Sequence, residues 1–296
     1  MLLALTQGWR RTWRNYADVM MIQPEQPEQP EHNVALKDLS GLLRGELQPQ
    51  REGDTLVSRS LHALLDVGRM RESLRVEIEK KLKKVSFKPL LLDPEFAEFR
   101  LHYAYLVSGL DSEDAALFEK WVKSNSDFVS AWIVTELSAF EMASHLRKAI
   151  FAWDETTNTR YMLRFYDPLI TPVLHRVADR KWVDWFFGPI LAWWYPVATP
   201  QERTWSRIEG GGQNVSEEPP LPLTLTEEIV EALDSYPLQV QTLNLVEQRF
   251  PSAFESDDYG VRLAKIEELL EDGKKQGLRK ENDLIAYVLY LLENTH

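Results

Sequence analysis

Between Ser138 and Tyr195 the hydrophobic period changes from helical to alternating and back, and each change carries its own start or stop residue. Ser138 followed three residues later by Glu141 is a capping box, in which hydroxyl and carboxylate each satisfy a backbone N–H left open by the first helical turn. Ala139, Met142, Ala143, Leu146 and Ile150 then recur at helical spacing and predict one apolar face. Two strand-like runs follow, residues 149–153 and 160–166, joined by a polar turn over 154–158. Alternation puts Leu163 and Phe165 on one face of the second strand and Met162, Arg164 and Tyr166 on the other. Asp167-Pro168 ends that strand, because Asp caps the N–H groups of a following turn and Pro fits a first helical position. Thr171-Pro172 repeats the signal, so a short turn and a helix restarting at Pro172 are expected.

The flanks extend this pattern. Leu61 to Val67 is a nearly continuous apolar run, as in a strand buried on both faces. Lys88–Leu92, Tyr103–Val107 and Phe128–Thr135 read as further strands. Helices are predicted between them, one carrying Leu74, Ile78, Leu82 and Val85, another capped by Ser112 and carrying Ala115, Phe118 and Val122. Strands alternating with helices predict an α/β fold, a mixed sheet flanked by helices, over residues 57–205. Residues 206–224 contain Gly210-Gly-Gly212 and Pro219-Pro-Leu-Pro222 and read as a linker. Residues 225–296 read as a smaller all-helical C-terminal lobe of four helices. Thr226 caps the first, Pro237 opens the second, Asp257 or Asp258 starts the third and Gly273 stops it, and Asn282 starts the last. Residues 1–56 read as an N-terminal extension. It holds an amphipathic stretch with Trp9, Trp13, Tyr16 and Met20, then proline at every third position from Pro24 to Pro30, the pattern of a polyproline II spacer.

Charge and composition exclude several classes. The net charge of −12 argues against nucleic acid, since phosphate binding needs a basic surface. Acidity belongs to the C-terminal part: residues 225–296 hold 15 acids and 7 bases, a balance of −8, against 19 and 18, or −1, over residues 61–196. The absence of cysteine excludes disulfides and thiol catalysis and fits a reducing cytoplasm. No stretch has the apolar length of a transmembrane helix, so membrane insertion is not expected. Met1-Leu-Leu-Ala-Leu5 is too short for a signal-peptide core, and the expectation is an unexported protein.

Candidate chemistry is sparse. Ser144, His145 and Asp167 supply the residue types of a triad, but adjacent helical positions point about 100° apart, and no G-x-S-x-G elbow is present. His145, Asp167 and His175 lack any metal-ligand spacing, so no metal is expected. No phosphate-binding glycine motif follows a strand, and no cofactor is expected. Arg164, among apolar neighbours, requires a carboxylate partner, for which Asp167, Glu141 and Glu136 are candidates. Eight of the ten tryptophans lie between Trp121 and Trp205, tightest at Trp182, Trp185, Trp193 and Trp194. Such crowding builds either a core or an aromatic partner surface, with Tyr166 as a further contact in the second case.

His145-Leu-Arg147, Leu163-Arg-Phe-Tyr-Asp-Pro168 and Phe187-Gly-Pro-Ile190, with Leu64-Leu-Asp66 and Tyr105-Leu-Val107 before them, resemble the signature of the type VI secretion effector chaperones, also called adaptors. The similarity covers residues 60–196, with a weaker echo through Gly277-Leu278 and Asn282-Asp-Leu284 to Leu292. It implies a non-enzymatic cytoplasmic protein that binds a secreted effector toxin and helps load it onto the spike protein of the secretion apparatus. In that reading His145, Arg147, Arg164, Asp167, Pro168 and Gly188 form the structural motif, and Trp182, Trp185, Trp193, Trp194 and Tyr166 contact the partner. The competing reading is an α/β enzyme or nucleotide-binding protein with an unrecognised site.

Overall fold

A computed structural model describes residues 34–47, 50–52, 55–67, 76, 86–108, 128–154, 157–212, 222–256 and 258–294. The predicted helices at 74–85 and 112–122, the stretch 1–31 and the segment 213–221 lie outside the described residues, apart from Val76.

The chain is an α/β protein built on a seven-stranded sheet in the order β1-β11-β10-β7-β4-β6-β5, every pairing in it antiparallel. Its strands are β1 (Val34–Ala35), β4 (Ser60–Asp66), β5 (Ser86–Pro89), β6 (Ala104–Ser108), β7 (Val129–Thr135), β10 (Ile190–Ala198) and β11 (Arg203–Glu209). A three-stranded mixed sheet is made by β8 (Phe151–Asp154), β9 (Thr159–Met162) and β12 (Leu223–Thr224), and β2 (Gln50–Glu52) pairs with β3 (Thr55–Val57). Strand β4 is buried along Leu61–Asp66 because it lies inside the sheet with a core on each face, as its apolar run requires.

One face carries Leu64, Leu106, Ile133, Trp193 and Ile208 beneath α2 (Ala139–Arg147), α3 (Thr171–Val177), α4 (Arg180–Phe187) and the small sheet. The other face carries Ala63, Leu65, Val107, Trp132, Trp194 and Trp205, with Leu39 and Leu43 of α1 (Leu36–Glu46) packed on them. Arg207 of β11 pairs with Glu46 at 2.8 Å and fixes the end of α1. Alternation along β10 therefore assigns neighbouring tryptophans to opposite cores.

Both halves of the predicted capping box are present: the Ser138 N–H donates to Glu141 at 2.9 Å and the Glu141 N–H to Ser138 at 3.4 Å. The helix restarts over Thr171–Val177 with Pro172 in its first turn. Strand β9 stops at Met162, short of the predicted end at Tyr166, because Leu163 to Asp167 enters a turn closed by the Asp167 N–H on the Arg164 carbonyl at 2.9 Å.

The C-terminal region is helical: α5 (Glu227–Arg249), α6 (Tyr259–Lys275) and α7 (Glu281–Glu293) share a core of Leu243, Val246, Leu263, Ile266, Leu284 and Val288. Three helices replace the four predicted, since α5 continues through Pro237. Asp258 caps α6 through the Val261 N–H at 3.1 Å. That helix passes Gly273 and ends at Lys275, with Gly277 beyond it at φ +92°.

The boundaries differ from the sequence reading at three points. Residues 34–46 belong to the sheet and its cover, not to an extension. Residues 206–209 complete β11. Leu225 and Ile229 are buried in the α/β core, so the first turns of α5 belong to that domain.

Candidate functional site

The turn from α4 into β10, residues 186–190, is tied to other parts of the chain through its backbone carbonyls. Four of its carbonyls accept hydrogen bonds, one from α2, one from β7 and two from the glycine run that follows β11. The Phe186 carbonyl accepts from His145 Nε2 of α2 at 2.9 Å, and the Pro189 carbonyl accepts from Thr135 Oγ1 of β7 at 2.6 Å. The Phe187 and Ile190 carbonyls accept from the N–H groups of Gly211 and Gly212 at 3.1 and 3.2 Å. A side chain on Gly210 would place its Cβ 1.9 Å from the Ile190 oxygen, and one on Gly211 would meet Gly188 at 3.3 Å. The glycine run is thus a closely docked strip at the start of the segment read as a linker. Only residues without a side chain permit that approach.

A carbonyl only accepts, so the Nε2 of His145 carries the hydrogen. Burial, reinforced by Lys148 and opposed by the Phe186 bond, lowers the His145 pKa to about 4, and the ring is neutral at ordinary pH. It lies 4.6 Å from the Trp185 ring. Two residues on, Arg147 turns the other way and places Nη2 on the Pro89 carbonyl at 2.8 Å, tying α2 to the edge strand β5.

Arg164 reaches Asp66 at the end of β4, Nη2 to Oδ2 at 2.5 Å, with Asp167 farther off at 3.9 Å. Both carboxylates are almost wholly buried, and Arg164 is 15% exposed. The partner 98 residues away was beyond sequence reasoning; Asp167, the candidate three residues away, is second. Tyr103 donates to the Leu163 carbonyl and meets Tyr166 edge-on at 4.9 Å, and burial raises the Tyr103 pKa well above its ordinary value. Asp167 Oδ1 accepts from the Leu169 N–H at 3.2 Å, so the carboxylate caps the turn that Pro168 opens.

These contacts separate the residues that the triad and metal readings would combine. His145 is committed to Phe186, Asp167 to Leu169 and Arg164, and His175 packs edge-on against Phe187 at 5.0 Å. Among the described residues no group of three or more His, Cys, Asp or Glu side chains stands ready to hold a metal.

The five aromatic residues offered as partner contacts are interior. Trp182 stacks on Phe186 at 4.8 Å, Trp185 packs on His145, and Trp193 touches both Phe186 and Phe187. Trp194 lies opposite Trp132 on the other face of the sheet, and Tyr166 is fully buried beside Tyr103. The packing reading replaces the partner-surface reading for all five, because none exposes more than 4% of its surface. Among the described residues the exposed aromatics are instead Phe140, at 68%, and Tyr290, at 62%. Phe140 was detectable in the sequence, since it falls outside the Met142-Ala143-Leu146 stripe of its helix.

Among the described residues no helix is long and apolar enough to cross a membrane. Comparison with protein-family models, with curated proteins and with solved structures finds no match.

Proposed function

We propose that the protein is a non-enzymatic adaptor that binds a type VI secretion effector in the cytoplasm and helps load it onto the spike protein. One observation carries this reading: the residue blocks that resemble the adaptor signature are joined to one another in space. His145 of the first block holds Phe186 at the edge of the third, Arg164 of the second holds Asp66, and Tyr103, two residues before the Tyr105 block, holds Leu163. A signature that specifies a fold should bind its own pieces together in this way, whereas a chemical signature should converge on an open cleft. His145 and Asp167 are engaged in structural bonds, which favours binding over catalysis. The acidic helical lobe favours a partner with a basic rim, and charge there adds mainly to association rate and orientation.

The test is co-purification of the full chain from a bacterium that produces it, with bound proteins identified by mass spectrometry. The adaptor reading expects a secreted toxin and a spike protein together. Recovery of neither, from cells in which the secretion system is active, contradicts it.

A further inference from the structure

Helix α5 carries two hydrophobic cores on one rod. Its first turns place Ile229, with Val230 and Leu233 partly buried, in the α/β core behind Leu225. Its later turns place Leu243 and Val246, with Leu238, Val240 and Phe250 partly buried, in the core shared with α6 and α7. Among the described residues none belongs to both clusters; the first ends at Leu233 and the second begins at Leu238. Pro237 sits at that division. Proline has no backbone N–H, so the Leu233 carbonyl receives no helical bond from it. The missing backbone bond falls in the stretch between the two cores.

Beyond that point the three helices are cross-tied. Arg262 of α6 pairs with Glu247 of α5 at 3.4 Å, and Tyr287 of α7 donates to Asp272 of α6 at 2.5 Å. The lobe meets the α/β domain again at the start of α6. There Arg203 of β11 bonds Asp258 Oδ2 at 3.0 Å and the Val129 carbonyl at 3.1 Å, while Gly260 lies against Ala198. Both charged side chains are largely shielded, at 11% and 17% exposure, so the pair is only weakly screened.

We propose that Pro237 is a hinge and the Arg203–Asp258 pair its latch, so that the lobe of α6, α7 and the second half of α5 swings as one body when the pair is broken. The hinge gives the molecule an open state in which the end of β10–β11 and the start of α6 separate and a bulky partner gains access to both. The proposal is independent of the partner's identity.

The chain contains no cysteine, so two spin labels can be placed without background. Glu98→Cys on the α/β domain and Gln276→Cys at the end of α6 report the inter-lobe distance by double electron–electron resonance. The parent chain is expected to give one narrow distance. Asp258→Asn retains the oxygen that caps α6 but removes the charge, and is expected to add a second, well-separated distance. Arg203→Gln, which breaks the pair from the other side, is expected to add the same one. Pro237→Ala in the Asp258→Asn background is expected to suppress it, and a label pair inside the lobe, Gln248→Cys with Gln276→Cys, is expected to stay fixed throughout. A single unchanged distance in folded Asp258→Asn and Arg203→Gln overturns the latch. A second distance that survives Pro237→Ala, or an altered pair within the lobe, overturns the hinge.

Discussion

The imidazole of His145 donates its Nε2 hydrogen to the carbonyl of Phe186, 41 residues further on, at 2.9 Å, and so joins the helix opened by the capping box to the turn that launches β10. Gln at this position retains a donor but not the ring against Trp185 and Phe186. His145→Gln is therefore expected to destabilise by about 1–3 kcal/mol in urea unfolding at neutral pH.

The same ring sets a pH dependence. Its folded pKa lies near 4 and its ordinary value is 6.5, so the folded state prefers the neutral form. The contribution is fully present above the ordinary value and is lost as pH falls from there toward the folded value. On acidification from neutral to pH 4 the parent should lose on the order of 2–3 kcal/mol more than His145→Gln. Parallel pH profiles for the two proteins would mean that the ring is not buried neutral.

Arg164 and Asp66 are expected to couple strongly. Arg164→Met leaves the buried Asp66 carboxylate without its guanidinium and should cost about 3–5 kcal/mol. Adding Asp66→Leu removes the stranded charge, so the double variant should be less destabilised than the sum of the singles by at least about 1 kcal/mol in urea unfolding. Additive losses would show that the pair is not the interaction that matters.

Two glycines should respond for different reasons. Gly210→Ala drives a Cβ into the Ile190 oxygen at 1.9 Å and should cost at least ~2 kcal/mol, since backbone must move. Gly277→Ala meets open space but holds φ +92°, so its cost should be only about 1 kcal/mol, from the left-handed conformation alone. Thermal unfolding of the two variants distinguishes steric from conformational strain.

The boundary between domain and lobe is testable by truncation. A chain ending at residue 236 keeps Leu225, Ile229 and Leu233 and should unfold cooperatively. One ending at residue 224 loses them from the α/β core and should aggregate or melt without a sharp transition. Equal behaviour of the two would place the boundary back at residue 225.

Local chemistry made the main elements legible. The Ser138–Glu141 box, the Asp167-Pro168 turn, the Thr226 and Asp258 caps and the apolar run of β4 all act within a few residues, and all stand where the sequence predicts them. Strand β11 was hidden because Trp205 and Ile208 are three apart and face opposite cores, which erases alternation. Gly210-Gly-Gly212 has a linker's composition, and only the nearness of Phe187 to Ile190 gives it a docking role. Arg164 demanded a partner, but which carboxylate depends on where β4 ends in space. The tryptophan cluster was legible as crowded aromatic mass, and burial, which the sequence does not state, decides that it is core.

The most direct test of the adaptor proposal is the affinity of the purified full chain for the effector recovered with it, compared with that of the chain ending at residue 236. The expected result is a soluble complex with the full chain that the shortened one, though folded, does not form, with association slowed by added salt more than release is hastened. Full affinity in the shortened chain would assign binding to the α/β domain alone, and no affinity in either would contradict the proposed function.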